Sequence, residues 1–209
     1  MSKKPADVLK RVSTLKTGDT SDDIYDRWAT SYDDDLINEF GYNSPALCAD
    51  VISERVSDRN ASVIDYGCGT GLVGAALSER GFKHIDGVDV SQGMLQQAKA
   101  KNVYRTLSAV DLTMSLPIDD NVYDCGLCVG SMGAGHIGAA HVPALLGPIK
   151  SGGVFVIYMN AQYFEAEGFE NSFINLENSG AWKILQMEPS NYMSALDRPG
   201  WLIVGQKNS

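Results

Sequence analysis

Val63-Ile64-Asp65-Tyr66-Gly67-Cys68-Gly69-Thr70-Gly71 is the stretch whose reading decides the fold. A short apolar run ends in a carboxylate, and three glycines at alternate positions lead into Leu72-Val73-Gly74-Ala75-Ala76-Leu77. Apolar run, glycine turn and helical periodicity together read as strand, turn and helix. In an open α/β sheet that junction is where a nucleotide-like ligand binds. Glycine suits it because the backbone must turn sharply and let a ligand approach without intervening Cβ atoms. Gly69, Gly71 and Gly74 also spell G-x-G-x-x-G, so one reading is a dinucleotide site in a nicotinamide-dependent oxidoreductase.

Asp65 separates that reading from its rival. A pyrophosphate is held by backbone N–H groups and a helix N-terminus, and a carboxylate two positions before Gly67 would repel it. The same carboxylate suits a ligand with cationic groups and no phosphate, such as S-adenosylmethionine. A plain structural role, capping the turn that follows, is the bland alternative.

The downstream sequence keeps the rhythm. Ile85-Asp86-Gly87-Val88-Asp89 reads as a second strand with Asp89 at its tip, placed to accept hydrogen bonds from ribose hydroxyls or to cap the next helix, a task Ser91 could share. Ser108-Ala109-Val110-Asp111-Leu112 and Asp120 to Gly130 supply third and fourth strand motifs, and Ile149 to Val154 the turn into a fifth. Taken in order, these motifs resemble the class I S-adenosylmethionine-dependent methyltransferases over most of residues 60–160. The resemblance implies S-adenosylmethionine as cofactor. Its binding residues would be Asp65, Gly67, Cys68, Gly69 and Gly71, then Asp89, Val90 and Met94, with Asp111 and Leu112 bordering the adenine. Residues 24–160 carry a narrower likeness, in motif order, to the Williams–Beuren syndrome chromosome-region methyltransferase-like proteins.

Composition sets the bounds. A chain of 209 residues, 44% hydrophobic and without repeats, can bury one sizeable core, so a single domain is expected. No run of about 18 apolar residues offers a membrane span, and Met1-Ser2-Lys3-Lys4-Pro5 has no signal-like apolar stretch. A cytoplasmic enzyme is the expectation. The net charge of −9 argues against a nucleic-acid partner, and Lys3, Lys4, Lys10, Arg11 and Lys16 read as the solvated face of a short helix or as a mobile tail. Cys125-Gly126-Leu127-Cys128 spells C-x-x-C, yet residues three apart on a strand point to opposite faces. No metal site is expected; Cys48, Cys68, Cys125 and Cys128 read as reduced, buried thiols.

Periodicity predicts helices at 6–15, 22–40 and 45–57, forming a cap over residues 1–58, followed by a core over 60–209. Strands are predicted at 62–65, 84–88, 104–108, 122–129 and 154–159, with helices at 71–80, 94–100 and 139–149, the last interrupted by Pro143. A helix at 163–178 and a hairpin of 181–188 and 200–206 follow, with Pro189, Arg198 and Pro199 in its turn. The expected fold is therefore an α/β Rossmann-like seven-stranded methyltransferase sheet: a parallel core, a C-terminal antiparallel hairpin and an N-terminal helical lid.

Tyr25, Trp28 and Tyr32 recur on one helical face of that lid. They pack as core, or they close over the cofactor's methionine end; Tyr and Trp do both jobs. The acceptor should lie outside the carboxyl ends of strands four and five. There the sequence offers Ser131 to His136, Asn160 and Tyr163, with His136 as candidate general base and a loop histidine bonded to backbone as its bland counterpart. His141 is less favoured, and His84 sits on the wrong edge. The overall reading is methyl transfer to a small-molecule acceptor. A protein or RNA methyltransferase and a non-catalytic cofactor-binding protein stand beside it; the acidic charge counts against RNA, and the lack of an Asn/Asp-Pro-Pro-Tyr motif after strand four against the amino-methylating RNA and DNA enzymes.

Overall fold

In the computed structural model, residues 33, 36–37, 41–133, 137–166, 168–193 and 198–208 are described. The helix expected at 6–15 falls outside that set, as does all of the one at 22–40 except residues 33 and 36–37; Tyr25, Trp28, Tyr32 and His136 also lie outside it. Seven strands follow the chain: β1 (Ser62–Tyr66), β2 (His84–Asp89), β3 (Thr106–Ala109), β4 (Tyr123–Val129), β5 (Ile149–Asn160), β6 (Trp182–Met193) and β7 (Arg198–Lys207). They form one sheet in the order β3-β2-β1-β4-β5-β7-β6. The first five run parallel, and β7 pairs antiparallel with both β5 and β6. The strand order reverses beside β1, between β2 and β4, which opens a crevice at the carboxyl ends.

Among the described residues six α-helices accompany the sheet: α1 (Ser44–Arg55), α2 (Leu72–Glu79), α3 (Gln92–Ala100), α4 (Val142–Leu146), α5 (Ala161–Ala166) and α6 (Phe169–Asn178). Strands buried on both faces read as near-continuous apolar runs, and β1 alternates Val63 into one core layer and Ile64 into the other. One layer joins α1 and α2 to the sheet through Cys48, Ile52, Val73 and Leu77. The other joins α4, α5 and α6 through Leu145, Phe164, Phe173 and Trp182, with the indole N–H donating to Phe173 O at 3.0 Å.

Several boundaries differ from expectation for local reasons. The helix at 139–149 becomes a short 3-10 turn, Ala139–His141, and then α4 with Pro143 in its first turn, where the missing N–H costs nothing. Gly147 and Pro148 end it, so Ile149 opens β5 instead. The helix at 163–178 divides into α5 and α6 at Gly168, whose φ of +70° breaks the helical path. The third strand starts at Thr106, leaving Tyr104 in the connection before it. The hairpin strands are longer than predicted: Pro189 lies within β6 opposite Trp201, and Arg198 and Pro199 belong to β7.

Cys125 packs into one core layer and Cys128 into the other, so their sulfurs diverge. All four cysteines are buried and unbridged. Burial pushes the Cys125 thiol up to about 12, and it raises the other three as well. Thiolate is the reactive form. A disulfide reagent at mildly alkaline pH is therefore expected to label no cysteine in the folded protein and all four after unfolding; rapid native labelling at any of them contradicts this packing.

Candidate functional site

The turn after β1 is built by backbone hydrogen bonds and by a left-handed path that favours glycine. Gly67 N and Cys68 N both donate to Val88 O, at 2.8 and 3.0 Å, hanging the turn on β2. Gly71 N then donates to Cys68 O at 2.9 Å. Gly67, Gly69 and Gly71 take φ of +67°, +53° and +91°, a region that side chains disfavour. Their surroundings differ. A Cβ on Gly67 would lie 2.2 Å from Ser131 Oγ, whereas one on Gly69 would meet nothing within 4 Å. Gly69 is thus the point where the backbone lies open to a ligand.

Asp89, at the end of β2, braces this turn. Its Oδ2 accepts from Gly69 N at 2.8 Å and its Oδ1 from Ser91 N at 2.9 Å. Ser91 caps α3 by accepting from Met94 N at 3.1 Å, so the capping role belongs to Ser91 and not to Asp89. Val90, half-exposed, follows Asp89 in the chain, and Met94, in the first turn of α3, is buried. Asp111 is exposed and accepts from Thr113 N and Oγ1 at 2.9 and 2.6 Å; those two bonds hold its carboxyl below the usual range. Leu112 packs into the core.

Asp65 is 1% exposed. Tyr104 donates its hydroxyl proton to Oδ2 at 2.7 Å, while buried Oδ1 has no hydrogen-bond partner among the described residues. Burial pushes the carboxyl up to about 7; the Tyr104 hydrogen bond opposes that rise and the nearby Asp89 charge adds to it. A buried acceptor with nothing to accept is costly and rare. A cationic donor brought to Oδ1 would satisfy it, and Gly69, in the turn that follows Asp65, leaves its backbone open to a ligand. Asp65, Gly69 and Asp89 therefore fit the ammonium and ribose of S-adenosylmethionine, and the same orphaned oxygen would repel a pyrophosphate.

A second set of residues lies at the ends of β4 and β5. Ser131 donates Oγ–H to Gly67 O at 3.0 Å, joining this rim to the glycine turn. Gly133 N donates to Ile137 O at 3.1 Å, and Ile137 N to Ser131 O at 3.3 Å, which pinches the chain on both sides of residues 134–136. The Tyr163 ring packs against Gly133, where a Cβ would lie 2.5 Å from it. Asn160 Oδ1 accepts from Gln162 N at 2.9 Å. His141 Nδ1 accepts from Gly138 N at 3.2 Å, a local cap, and His84 begins β2 at the opposite end of the sheet.

Two connections escaped the sequence reading. Asp33 receives a hydrogen bond from buried Thr70 in the glycine turn, and Lys101 Nζ donates to its other oxygen at 2.5 Å. Tyr104 reaches Asp65 from 39 positions away, and no local pattern marks it.

A family model described as a methyltransferase domain matches residues 63–151. Methyltransferase-like protein 27 of Homo sapiens is 36% identical over 174 residues, covering 79% of this chain and 69% of that protein. Among solved structures, the S-adenosylmethionine-dependent methyltransferase of Mesorhizobium loti superposes with a TM-score of 0.57 at 18% identity, over 71% of this chain and 91% of that one. A (4+2) cyclase, SpnF, superposes with a TM-score of 0.67 at 16% identity, over 93% and 99%. At those identities the two superpositions concern the fold alone.

Proposed function

The chain belongs to the class I S-adenosylmethionine-dependent methyltransferases, with S-adenosylmethionine as cofactor, and from that premise we propose that it methylates a small-molecule acceptor held at the ends of β4 and β5. The cofactor, when bound, supplies a methyl carbon already activated by a positively charged sulfur. What remains for the protein is to hold the nucleophile near that carbon, in line, and to keep water away.

The observation that carries the reading is the Ser131–Gly67 hydrogen bond, which seats the rim of β4 directly against the cofactor turn. An acceptor resting on Ser131, Gly133, Asn160 and Tyr163 would face the methionine end of the cofactor. In this reading Asp65 meets the ammonium, Gly67, Cys68, Gly69 and Gly71 the methionine backbone, and Asp89 the ribose. Val90 and Met94 border the sugar, and Asp111 with Leu112 the adenine. Tyr25, Trp28 and Tyr32 close the entrance, a role supported by the Asp33 tie to Thr70 and Lys101 one residue further along. His136 takes a proton from an acceptor that arrives protonated.

The net charge of −9 supports a small acceptor over a nucleic acid, and a cytoplasmic setting completes the reading. Among the described residues no helix is long and apolar enough to cross a membrane. Within the family, motif order over residues 24–160 favours a likeness to the Williams–Beuren-region methyltransferase-like proteins.

The test is incubation with methyl-labelled cofactor and cell extract, followed by mass spectrometry of small molecules, proteins and RNA. Label in a low-mass compound is expected; label confined to protein or RNA replaces the acceptor class, and none in any fraction favours a non-catalytic binding protein. With the acceptor in hand, His136→Ala is expected to lower kcat about 100-fold while leaving cofactor Kd unchanged. An unchanged kcat removes His136 from the chemistry.

A further inference from the structure

We infer that Tyr104 is a positioning residue for the cofactor: its hydroxyl locks the Asp65 carboxylate to the first turn of α2, so that Oδ1 alone is left to meet the ligand's ammonium group. The inference rests on the reading that Asp65 serves the amino-acid end of the cofactor. It does not depend on the acceptor.

The geometry is a three-point contact. The Tyr104 hydroxyl donates to Asp65 Oδ2 at 2.7 Å and accepts from Gly74 N at 3.1 Å. A phenol has one proton to give, and this one is committed. Gly74 is the third residue of α2, whose first-turn N–H groups have no partner within the helix. Gly71, at the N-cap, has no side chain to accept from them. Tyr104 supplies the missing acceptor from a distant segment. The ring in turn needs glycines beneath it: a Cβ would lie 2.3 Å from it at Gly74, 2.9 Å at Gly87 and 3.0 Å at Gly71. Gly74, which completes the dinucleotide-like spelling, is explained by this ring and not by a phosphate.

Holding Oδ2 fixes the rotamer of Asp65 and aims Oδ1. The groups facing this carboxylate are Tyr104, Asp89 from β2, Cys68 from the turn, Cys48 from α1 and Cys128 from β4, all acidic or neutral. The carboxyl stands at about 7 before the ligand arrives. An ammonium partner favours the ionised form, so binding drives out a proton below neutrality. As pH falls through about 7 the protonated form accumulates, and affinity drops by up to about tenfold per pH unit. The Tyr104 hydrogen bond holds that carboxyl lower than burial alone would. Removing the hydroxyl therefore moves the onset of the loss to higher pH.

Calorimetric titration of S-adenosylmethionine into the wild type, Tyr104→Phe and Asp65→Asn, from about pH 6 to about pH 9, tests this. Tyr104→Phe is expected to bind roughly tenfold more weakly at pH 7, to begin its loss at higher pH than wild type, and to keep a smaller deficit at the alkaline end, where only the aim of Oδ1 is missing. Asp65→Asn is expected to bind weakly at every pH, with a flat profile. A Tyr104→Phe profile superimposable on wild type, or weakened by one factor throughout, overturns the positioning role while leaving Asp65 in place. An Asp65→Asn protein that keeps the wild-type affinity and pH dependence overturns the reading of Asp65 and this inference with it. Should Tyr104→Phe not fold, 3-fluorotyrosine at position 104 keeps the ring and donates more strongly. Its onset is expected at lower pH, and an unmoved onset is equally fatal.

Discussion

Alanine at position 89 is expected to weaken S-adenosylmethionine binding by about 100-fold or more, the largest loss of any single cofactor residue. Asp89 does two things that no neighbour duplicates. Its oxygens hold Gly69 N at 2.8 Å and Ser91 N at 2.9 Å, tying the tip of the glycine turn to the start of α3. In the proposed complex its carboxylate also accepts from the ribose. Hydrogen bonds to a charged acceptor contribute about 1.5–3 kcal/mol each, so losing the brace and the ribose contact together exceeds two factors of ten. Calorimetry measures the affinity and circular dichroism confirms the fold. Asp89→Asn, which keeps one acceptor oxygen, should fall between alanine and wild type. Retention of Kd within about threefold in the alanine protein would remove Asp89 from the binding site.

Gly67→Ala is expected to cost stability as well as binding. At φ of +67° a Cβ carries a penalty of about 1–2 kcal/mol. The added methyl would also fall 2.2 Å from Ser131 Oγ and 2.5 Å from Ser131 Cβ, and an overpacked contact of this kind costs about 1–3 kcal/mol. Together these amount to about 2–5 kcal/mol, which predicts a fall in Tm of roughly 4–20 °C for a domain of this size. Binding should suffer too, because Gly67 carries the turn hung on Val88 O. Adding Ser131→Gly removes the clash but not the dihedral penalty, so the double variant should recover about half of the lost stability. A Gly67→Ala protein with wild-type Tm would show that the turn relaxes freely, against the geometry described.

Residues 62–160 were legible because their elements repeat one local grammar: an apolar strand, a turn, a periodic helix. Asp65, Gly67, Gly69, Gly71 and Asp89 sit within that grammar, and the structure gathers them around one turn. Boundaries failed where a single residue overruled periodicity, as Gly168 did between α5 and α6 and Pro148 did before β5. Tyr104 and the Asp33–Thr70–Lys101 contact were invisible because they join segments 30 or more positions apart, and their residue types have ordinary surface uses. C-x-x-C, conversely, looked informative by spelling and is explained by strand pleat alone.

Pro189 inside β6 has a consequence for how the molecule meets its own copies. β6 is the outermost strand on its side of the sheet, twelve residues long, and such a margin ordinarily invites another chain to add itself by backbone pairing. A proline contributes no donor there, and the register shifts at Ile184/Gln186 and Asn191/Met193 interrupt the regular spacing of what remains. The long hairpin can thus extend the sheet without offering a template for aggregation.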